Sequence, residues 1–378
     1  MACFFSAFGM FGSGDRRALA ATRAARRLPQ LFRQFKRMSS PGLRPQRCLM
    51  TGASGFIGAR LCERLDGQQA YLAMVRSPEA AAALAASGRA AVVADLLKPG
   101  QAAHALRGCD AVIHLAHGDR GPEATRRLVD AAVAQRVKRF VHISTMSVHG
   151  PVPGPEVARE ETARIGRYGH DYSDSKAEQE EIVQAASARG DLPVVILRPT
   201  VVYGLGGHFE AQVLAQARAG EVTLFDGGRG ECNPVFVDDV CDAIDAALWR
   251  PEALGEAMFV NGDEAVSWGE FIHAFAALVQ PAPRFVDLSA ADALRYWAAH
   301  PPEPVGGLST RVLRKLRRLA GWQPPVAPWP PLGRVWRETF PVRFTNDKAK
   351  RLLGWAPRVD FAQGVALSRA WLQARGVL

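Results

Sequence analysis

A short apolar run that leads into three regularly spaced glycines is the feature that most constrains this fold. Residues 48–51 precede Gly52, Gly55 and Gly58, and the helix-like segment 59–65 follows them. A strand, a glycine turn and a helix N-terminus in this order suit a dinucleotide pyrophosphate, because free backbone N–H groups and the helix dipole attract anions. The same spacing also occurs in ordinary tight turns. The residues expected to contact such a ligand are Gly52, Ser54, Gly55, Phe56, Ile57 and Gly58.

Beyond the glycine turn, short β-rich runs alternate with helical segments. The runs after the first are residues 70–75, 90–94, 110–116 and 139–144. Alternation of this kind is typical of parallel strands joined by right-handed crossovers. The sequence therefore predicts an α/β fold, a doubly wound parallel (Rossmann) sheet with a smaller C-terminal substrate-binding domain.

The predicted domains follow from this pattern. Residues 1–45 form a basic, disordered extension, and residues 46–204 form the dinucleotide-binding domain, to which 234–262 return. Residues 205–233 and 263–378 mainly form the substrate-binding domain. Within that domain, Ser267 and Glu270 are spaced as a capping box for a helix that carries Phe271 and Ile272.

The net charge of +10 on the 378 residues is concentrated at the N-terminus. Residues 1–38 contain eight Lys and Arg against one Asp, a net +7, which leaves only +3 for the rest. A body so close to neutral does not predict nucleic-acid binding. Six cysteines without paired or metal-ligand spacing indicate reduced thiols and a cytoplasmic protein.

The N-terminal 38 residues leave three interpretations open. The first is a disordered extension or an over-long start ahead of Met38, the second is an Arg-rich organellar targeting peptide, and the third is a basic arm that touches a membrane or nucleic acid. The first of these, extension or over-long start, is favoured. No apolar run in the chain reaches the length that spans a bilayer.

The residue after the second predicted strand bears on the choice of dinucleotide. An acidic residue there would favour NAD by hydrogen-bonding the adenosine ribose. This chain has Arg76, which can pair with a 2′-phosphate. NADP is therefore the favoured cofactor, and NAD is the alternative. Arg76 could also be no more than a solvated charge at the end of a strand.

A phenol, an ammonium and a hydroxyl form the candidate catalytic set. Tyr172 and Lys176 are four residues apart and share one face of a helix, and Thr145 lies at the end of the fifth predicted strand. Carbonyl reduction needs a proton donor at the developing alkoxide, and a nearby ammonium favours the phenolate. Tyr172 would donate the proton, Thr145 would orient the substrate oxygen, and Lys176 would also hold the nicotinamide ribose.

With these residues in place, the chain from about residue 47 to the C-terminus resembles the extended short-chain dehydrogenase/reductase family. The resemblance rests on segments 51–58, Asp95-Leu96, 114–116, Ser144-Thr145, Tyr172 with Lys176, 197–204, 237–240 and 352–357. It implies catalysis by Thr145, Tyr172 and Lys176. It also implies that Asp95 and Leu96 lie by the adenine and that Ala116 and Pro199 line the nicotinamide side.

Departures from the family pattern bear on the substrate. Many nucleotide-sugar members carry a long segment with an Asn after the fourth strand, then Gly-Thr, where this chain has the short segment 117–122 without Asn and then Ala124-Thr125. Many also carry an Arg just ahead of the Val-Asp-Asp motif, where this chain has Glu231. An acidic group beside a diphosphate is repulsive. Segment 259–268 is similar to the hydroxysteroid dehydrogenase and dihydroflavonol reductase branch. These features favour an NADP-preferring oxidoreductase that interconverts a secondary alcohol and a ketone or aldehyde on a small to medium, largely apolar substrate.

Two other functions remain alternatives. One is a nucleotide-sugar epimerase or dehydratase with a tightly held nicotinamide cofactor, and the other is a non-catalytic dinucleotide-sensing or assembly protein. The partner expected is a small-molecule substrate, with homodimers usual for the family. Residues 311–319 pattern as a basic amphipathic helix, for which a solvated face is favoured over peripheral membrane contact. The histidine spacing predicts no metal site.

Overall fold

The computed structural model describes residues 45–65, 70–150, 154–161, 163–301 and 328–378. Its strands are β1 (Cys48–Thr51), β2 (Tyr71–Val75), β3 (Ala91–Val93), β4 (Ala111–His114), β5 (Arg139–Ile143), β6 (Val194–Pro199), β7 (Val201–Tyr203), β8 (Glu221–Phe225), β9 (Pro234–Phe236), β10 (Ala257–Val260) and β11 (Arg284–Leu288). Seven of them form one sheet in the order β10-β6-β5-β4-β1-β2-β3. Every pairing in this sheet is parallel, which confirms the predicted doubly wound sheet.

Helices cover both faces of this sheet and continue into the C-terminal region. They are α1 (Phe56–Arg64), α2 (Pro78–Ala86), α3 (Gln101–Ala105), α4 (Gly121–Ala134), α5 (Asp171–Ala188), α6 (His208–Arg218), α7 (Val237–Trp249), α8 (Trp268–Ala276), α9 (Ala290–Ala299), α10 (Leu332–Glu338), α11 (Asp347–Leu353) and α12 (Phe361–Ala374). None of the helices within the described ranges is long and apolar enough to cross a membrane.

The core consists of two main layers, one on each side of the sheet. Side-chain alternation sends Met50 and Ile113 to the layer that contains α7 residues, and Leu49 and Val112 to the layer that contains α4 residues. Because both faces are covered, the strands are apolar at almost every position. This double burial explains why they appeared in the sequence as continuous apolar runs.

The strands are slightly shorter than the sequence predicted. The fourth run, predicted over 110–116, forms a strand only from Ala111 to His114. It ends there because Leu115 and Ala116 leave the sheet to pass beside the glycine turn, where the Ala116 N–H donates to the Thr51 hydroxyl (3.3 Å). The other three predicted runs likewise lose one or both terminal residues.

Two small parallel sheets, β7–β9 and β8–β11, lie outside the main sheet. Helix α8 begins with the capping box predicted from Ser267 and Glu270, whose side chains each bond to the backbone N–H of the other residue. Strand β10 pairs with β6 and so places 257–260 in the main sheet. The predicted extension 1–45, except residue 45, and the basic segment 311–319 lie outside the described residues.

Candidate active site

The glycine turn places an open helix N-terminus at the carboxyl edge of the main sheet. Helix α1 begins at Phe56 after an N-cap at Gly55, with no side-chain cap and no acidic residue in its first turn. Helices α8 and α12, by contrast, both begin with capping boxes. The first backbone N–H groups of α1 therefore keep their capacity for an anion, and they fit the pyrophosphate of a dinucleotide.

Two glycines of the turn are required by close backbone packing. Gly52 has φ +72°, and a Cβ there would lie 2.8 Å from the Ala116 nitrogen. A Cβ on Gly58 would lie 2.2 Å from the Gly52 carbonyl oxygen and 2.9 Å from the Ala53 Cα. No side chain fits at either position without moving backbone, so the turn keeps its shape against both β4 and α1.

The residues predicted near the adenosine lie at the same edge of the sheet. Arg76 is exposed and directly follows β2, and Asp95 follows the neighbouring β3. The Asp95 Oδ1 accepts from the Leu97 N–H (2.9 Å), and the Asp95 N–H donates to the Gln101 side chain (2.6 Å). Leu96 is 3% exposed and packs in the core layer near α4.

Helix α5 carries Tyr172 and Lys176 to one cavity of about 1030 Å³. Thr145, which follows β5, also lines it, as do Pro199 and five of the six predicted turn residues. Ser54, Arg76, Asp95, Leu96 and Ala116 are outside the cavity lining. The structure thus brings the candidate catalytic set and the open end of α1 together around one space.

Lys176 is buried and held by the end of β5. Its Nζ donates to the Ile143 carbonyl (2.9 Å). Burial lowers the pKa of Lys176 to about 8, and the nearby Glu180 carboxylate partly opposes this shift. The Lys176 ammonium therefore loses its proton more easily than that of an exposed lysine, but with this pKa it is still mainly charged at pH 7.

Tyr172 presents a different balance. Although 40% of the residue is exposed, burial of its hydroxyl raises the pKa, and a hydrogen bond with the Thr145 side chain acts in the opposite direction. Thr145 itself is 7% exposed, and its Oγ1 accepts from the Ser147 N–H (3.2 Å). From the sequence, the Lys176 ammonium was expected to favour the phenolate. In this structure burial is the larger influence on the pKa of Tyr172 and favours the protonated phenol.

A buried ion pair below Lys176 was not anticipated from the sequence. The Arg198 Nε donates to Glu180 (3.1 Å), and the Ser144 hydroxyl donates to the same carboxylate (2.5 Å). Glu180 is 0% exposed and lies one helical turn after Lys176. Arg198 was visible in a motif, but nothing local in the sequence indicates its partner on α5.

A chain of buried polar side chains ties the glycine turn to the catalytic helix. His114 shares hydrogen bonds with Thr51 (2.8 Å) and Thr125 (2.9 Å), and the Thr125 hydroxyl donates to Gln179 on α5 (3.2 Å). His117 lies at its end, with its ring 4.8 Å from the Tyr172 ring in an edge-on contact. Burial and, to a smaller extent, the Lys176 charge lower the pKa of His117 to about 4, so the imidazole is neutral near pH 7.

A second part of the cavity wall comes from the C-terminal half of the chain and carries four aromatic rings among polar side chains. Its rings belong to Phe209 of α6, Trp336 of α10, and Phe340 and Phe344 from the segment after α10. Helix α10 also brings Arg337 to this wall. Sequence reasoning did not identify these residues as a site, because their spacing resembles ordinary core aromatics. Across the described ranges, no group of three or more His, Cys, Asp or Glu is arranged to hold a metal.

Comparison with known sequences identifies the family. Residues 48–261, more than half of the chain, match the model of the NAD dependent epimerase/dehydratase family. The chain belongs to this family. The match covers β1 through β10, and so it includes the glycine turn, Thr145, Tyr172 and Lys176. Family membership makes the chain an NAD(P)-dependent enzyme of the extended short-chain dehydrogenase/reductase type.

Two of the known proteins that the chain resembles are reductases with the same name. The chain is 28% identical to a 2-alkyl-3-oxoalkanoate reductase of Shewanella oneidensis over 254 residues, which are 60% of this chain and 65% of that protein. It is 29% identical to a reductase of the same name from Stenotrophomonas maltophilia, over 85% of this chain and 98% of that one.

A solved structure confirms the shared fold. The UDP-glucuronic acid 4-epimerase from Bacillus cereus, in complex with UDP-glucuronic acid and NAD, superposes with a TM-score of 0.64 and 20% identity. The alignment covers 87% of this chain and 99% of that one. At this identity the likeness concerns the fold alone, and the choice between reduction and epimerisation depends on the site.

Proposed function

We propose that this chain is an NADP-preferring oxidoreductase that interconverts a secondary alcohol and a ketone or aldehyde on a small to medium, largely apolar substrate. One observation carries the proposal: Thr145, Tyr172 and Lys176 line the same cavity as the open end of α1, and four aromatic rings line it as well. The names of the two reductases described above support a ketone substrate.

Three side chains of the protein have separate roles in the proposed reaction. NADPH, when bound with its pyrophosphate at the N-terminus of α1, supplies the hydride. The Tyr172 hydroxyl, kept protonated by burial, gives its proton to the alkoxide oxygen that develops from the carbonyl. Thr145, hydrogen-bonded to Tyr172, orients the same oxygen, and the buried Lys176 ammonium stabilises the phenolate that remains.

We expect the substrate to lie against the segments that the sequence predicted to bind it. Phe209 belongs to 205–233, and Trp336, Phe340 and Phe344 belong to 263–378. Their rings would bury alkyl or ring carbon, and each CH₂ removed from water contributes about 0.8 kcal/mol. A nucleotide sugar, the alternative substrate, would bring a diphosphate into a cavity that the Glu231 carboxylate also lines, and the two negative groups would repel each other.

The proposal is tested by turnover with a matched pair of variants. The Tyr172→Phe change should lower the rate of ketone reduction by about 100-fold or more while NADPH binding persists, because only the proton donor is removed. The Tyr296→Phe change on α9, outside the cavity, is the control and should leave the rate unchanged. NADPH or NADH oxidation is followed against a panel of ketones and nucleotide sugars.

Each result separates the candidates. Reduction of ketones that survives Tyr172→Phe contradicts the assigned mechanism. Conversion of a nucleotide sugar without added cofactor indicates the epimerase or dehydratase. Cofactor binding without any turnover indicates the sensing or assembly protein.

A further inference from the structure

Arg337 on α10 is a charged group of the cavity whose hydrogen bonds are incomplete. Its guanidinium lies 5.1 Å from the ring centroids of both Phe209 and Trp268. Its Nε is buried without a hydrogen-bond partner, and its side chain is 26% exposed. Among the described residues its ion pair is with Glu338, at 3.3 Å. A desolvated guanidinium with a free donor is costly unless an anion completes it.

Arg334, one turn earlier on the same helix, shows the opposite situation. Its Nε donates to Glu338 (2.7 Å), and its Nη2 donates to the Thr223 carbonyl (2.7 Å). Glu338 therefore bonds most closely to Arg334 and only at longer range to Arg337. One carboxylate is shared by two guanidinium groups, which leaves Arg337 as the group that can accept a further anion.

Glu231 restricts which anion can bind. It lines the same cavity, and its buried Oε2 has no hydrogen-bond partner. Its carboxylate adds a negative charge to the lining of the same cavity. A diphosphate would bring two negative charges against Glu231, whereas a single carboxylate pairs with Arg337 alone. A carboxylate also matches the planar fork of a guanidinium.

We propose that Arg337 binds the carboxylate of the substrate, so that the substrate class is an alkyl oxo acid or the corresponding hydroxy acid. This inference rests on the proposed function. The reducible carbonyl would lie at Tyr172, the carboxylate at Arg337, and the alkyl chain against Trp336, Phe340 and Phe344. All five side chains line one continuous cavity, so a single molecule can contact both polar ends and the aromatic surface.

The test measures binding directly, without turnover. 3-Hydroxyoctanoate and its methyl ester are titrated calorimetrically into the protein saturated with NADPH, in which an alcohol cannot react. Wild type should bind the acid more tightly than the ester, and Arg337→Gln should weaken the acid by about 10- to 100-fold while leaving the ester unchanged. Arg337→Lys keeps the charge but loses the planar fork, so its affinity for the acid should lie between those of wild type and Arg337→Gln.

The control variant is Arg351→Gln, an exposed cation on α11 outside the cavity, which should leave both affinities unchanged. If Arg337→Gln does not fold, wild type still decides the matter: acid binding should weaken with added salt, and ester binding should not. Equal binding of acid and ester by wild type, or acid binding indifferent to Arg337, overturns the proposal.

The two proposals fail in different ways. Ketone reduction that depends on Tyr172 but is indifferent to Arg337 removes the carboxylate site and keeps the function. Acid binding that depends on Arg337, without any ketone reduction, keeps the anion site and removes the function. UDP that binds more tightly than the acid through Arg337 overturns the substrate class and favours the nucleotide-sugar alternative.

Discussion

The two walls of the cavity are built by different means. The wall at the glycine turn is made of backbone: Gly52 and Gly58 leave no room for a side chain, and the open end of α1 offers N–H groups. The second wall is made of side chains from α6 and α10, including Phe209, Trp336 and Arg337. In the proposed function, backbone at the first wall binds the dinucleotide and side chains at the second select the substrate.

The largest expected effect concerns the backbone wall. Gly58→Ala places a Cβ 2.2 Å from the Gly52 carbonyl oxygen and 2.9 Å from the Ala53 Cα, and neither atom can yield without moving the turn. We expect the free energy of unfolding to fall by about 3 kcal/mol and NADPH binding to be lost. Urea denaturation and NADPH fluorescence measure the two effects.

The matched control is Gly118→Ala, where a Cβ meets nothing within 4 Å. This change should alter stability by less than about 0.5 kcal/mol. A Gly58→Ala protein that is as stable as wild type and binds NADPH would show that the turn tolerates side chains. The contrast between the two walls would then be wrong.

The difference between the walls also explains how much the sequence predicts. The turn, the alternating strands and the capping box at Ser267 depend on neighbours within a few residues, so local pattern was sufficient. Arg337 meets Phe209 only because segment 338–340 packs on 230–231, where the Glu231 N–H donates to the Phe340 carbonyl (2.6 Å). Contacts between segments that far apart in the chain have no local signature.

The same reasoning applies to the catalytic residues. The spacing of Tyr172 and Lys176 placed both on one helix, as α5 shows. Their ionisation was harder to predict, because it depends on burial and on the Glu180 carboxylate held by Arg198. A sequence pattern shows which ionisable group is present, but not how far that group is removed from water on folding.

The second-largest expected effect concerns the buried Lys176, which lines the same cavity. Burial lowers its pKa to about 8, against an ordinary value of 10.5. Below pH 8 the lysine is protonated in both states, but between pH 8 and 10.5 the folded protein loses the proton while the unfolded chain keeps it. The unfolding free energy of wild type relative to Lys176→Met should therefore rise by about 2 kcal/mol from pH 7 to pH 10.

Urea denaturation of both proteins at the two pH values measures this difference. Lys138→Met, in which the lost side chain is 77% exposed, controls for removal of an ammonium and should retain the rise seen in wild type. An identical pH dependence in wild type and Lys176→Met would mean that the Lys176 ammonium is not desolvated and that water reaches it in the folded protein.

The smallest expected effect tests whether the backbone wall also depends on a side chain. Arg76 is exposed after β2 and, if it pairs with the 2′-phosphate, Arg76→Ala should weaken NADPH binding by about 10-fold, or about 1.4 kcal/mol. NADH lacks that phosphate and serves as the internal control, with an unchanged dissociation constant. Fluorescence titration of both nucleotides, with the exposed Arg107→Ala as a surface control, provides the measurement. Equal weakening of NADPH and NADH would assign Arg76 to general attraction of the nucleotide, and unchanged binding of both would remove the argument for NADP. A loss confined to NADPH would mean that the backbone binds a dinucleotide and that one side chain selects which dinucleotide it is.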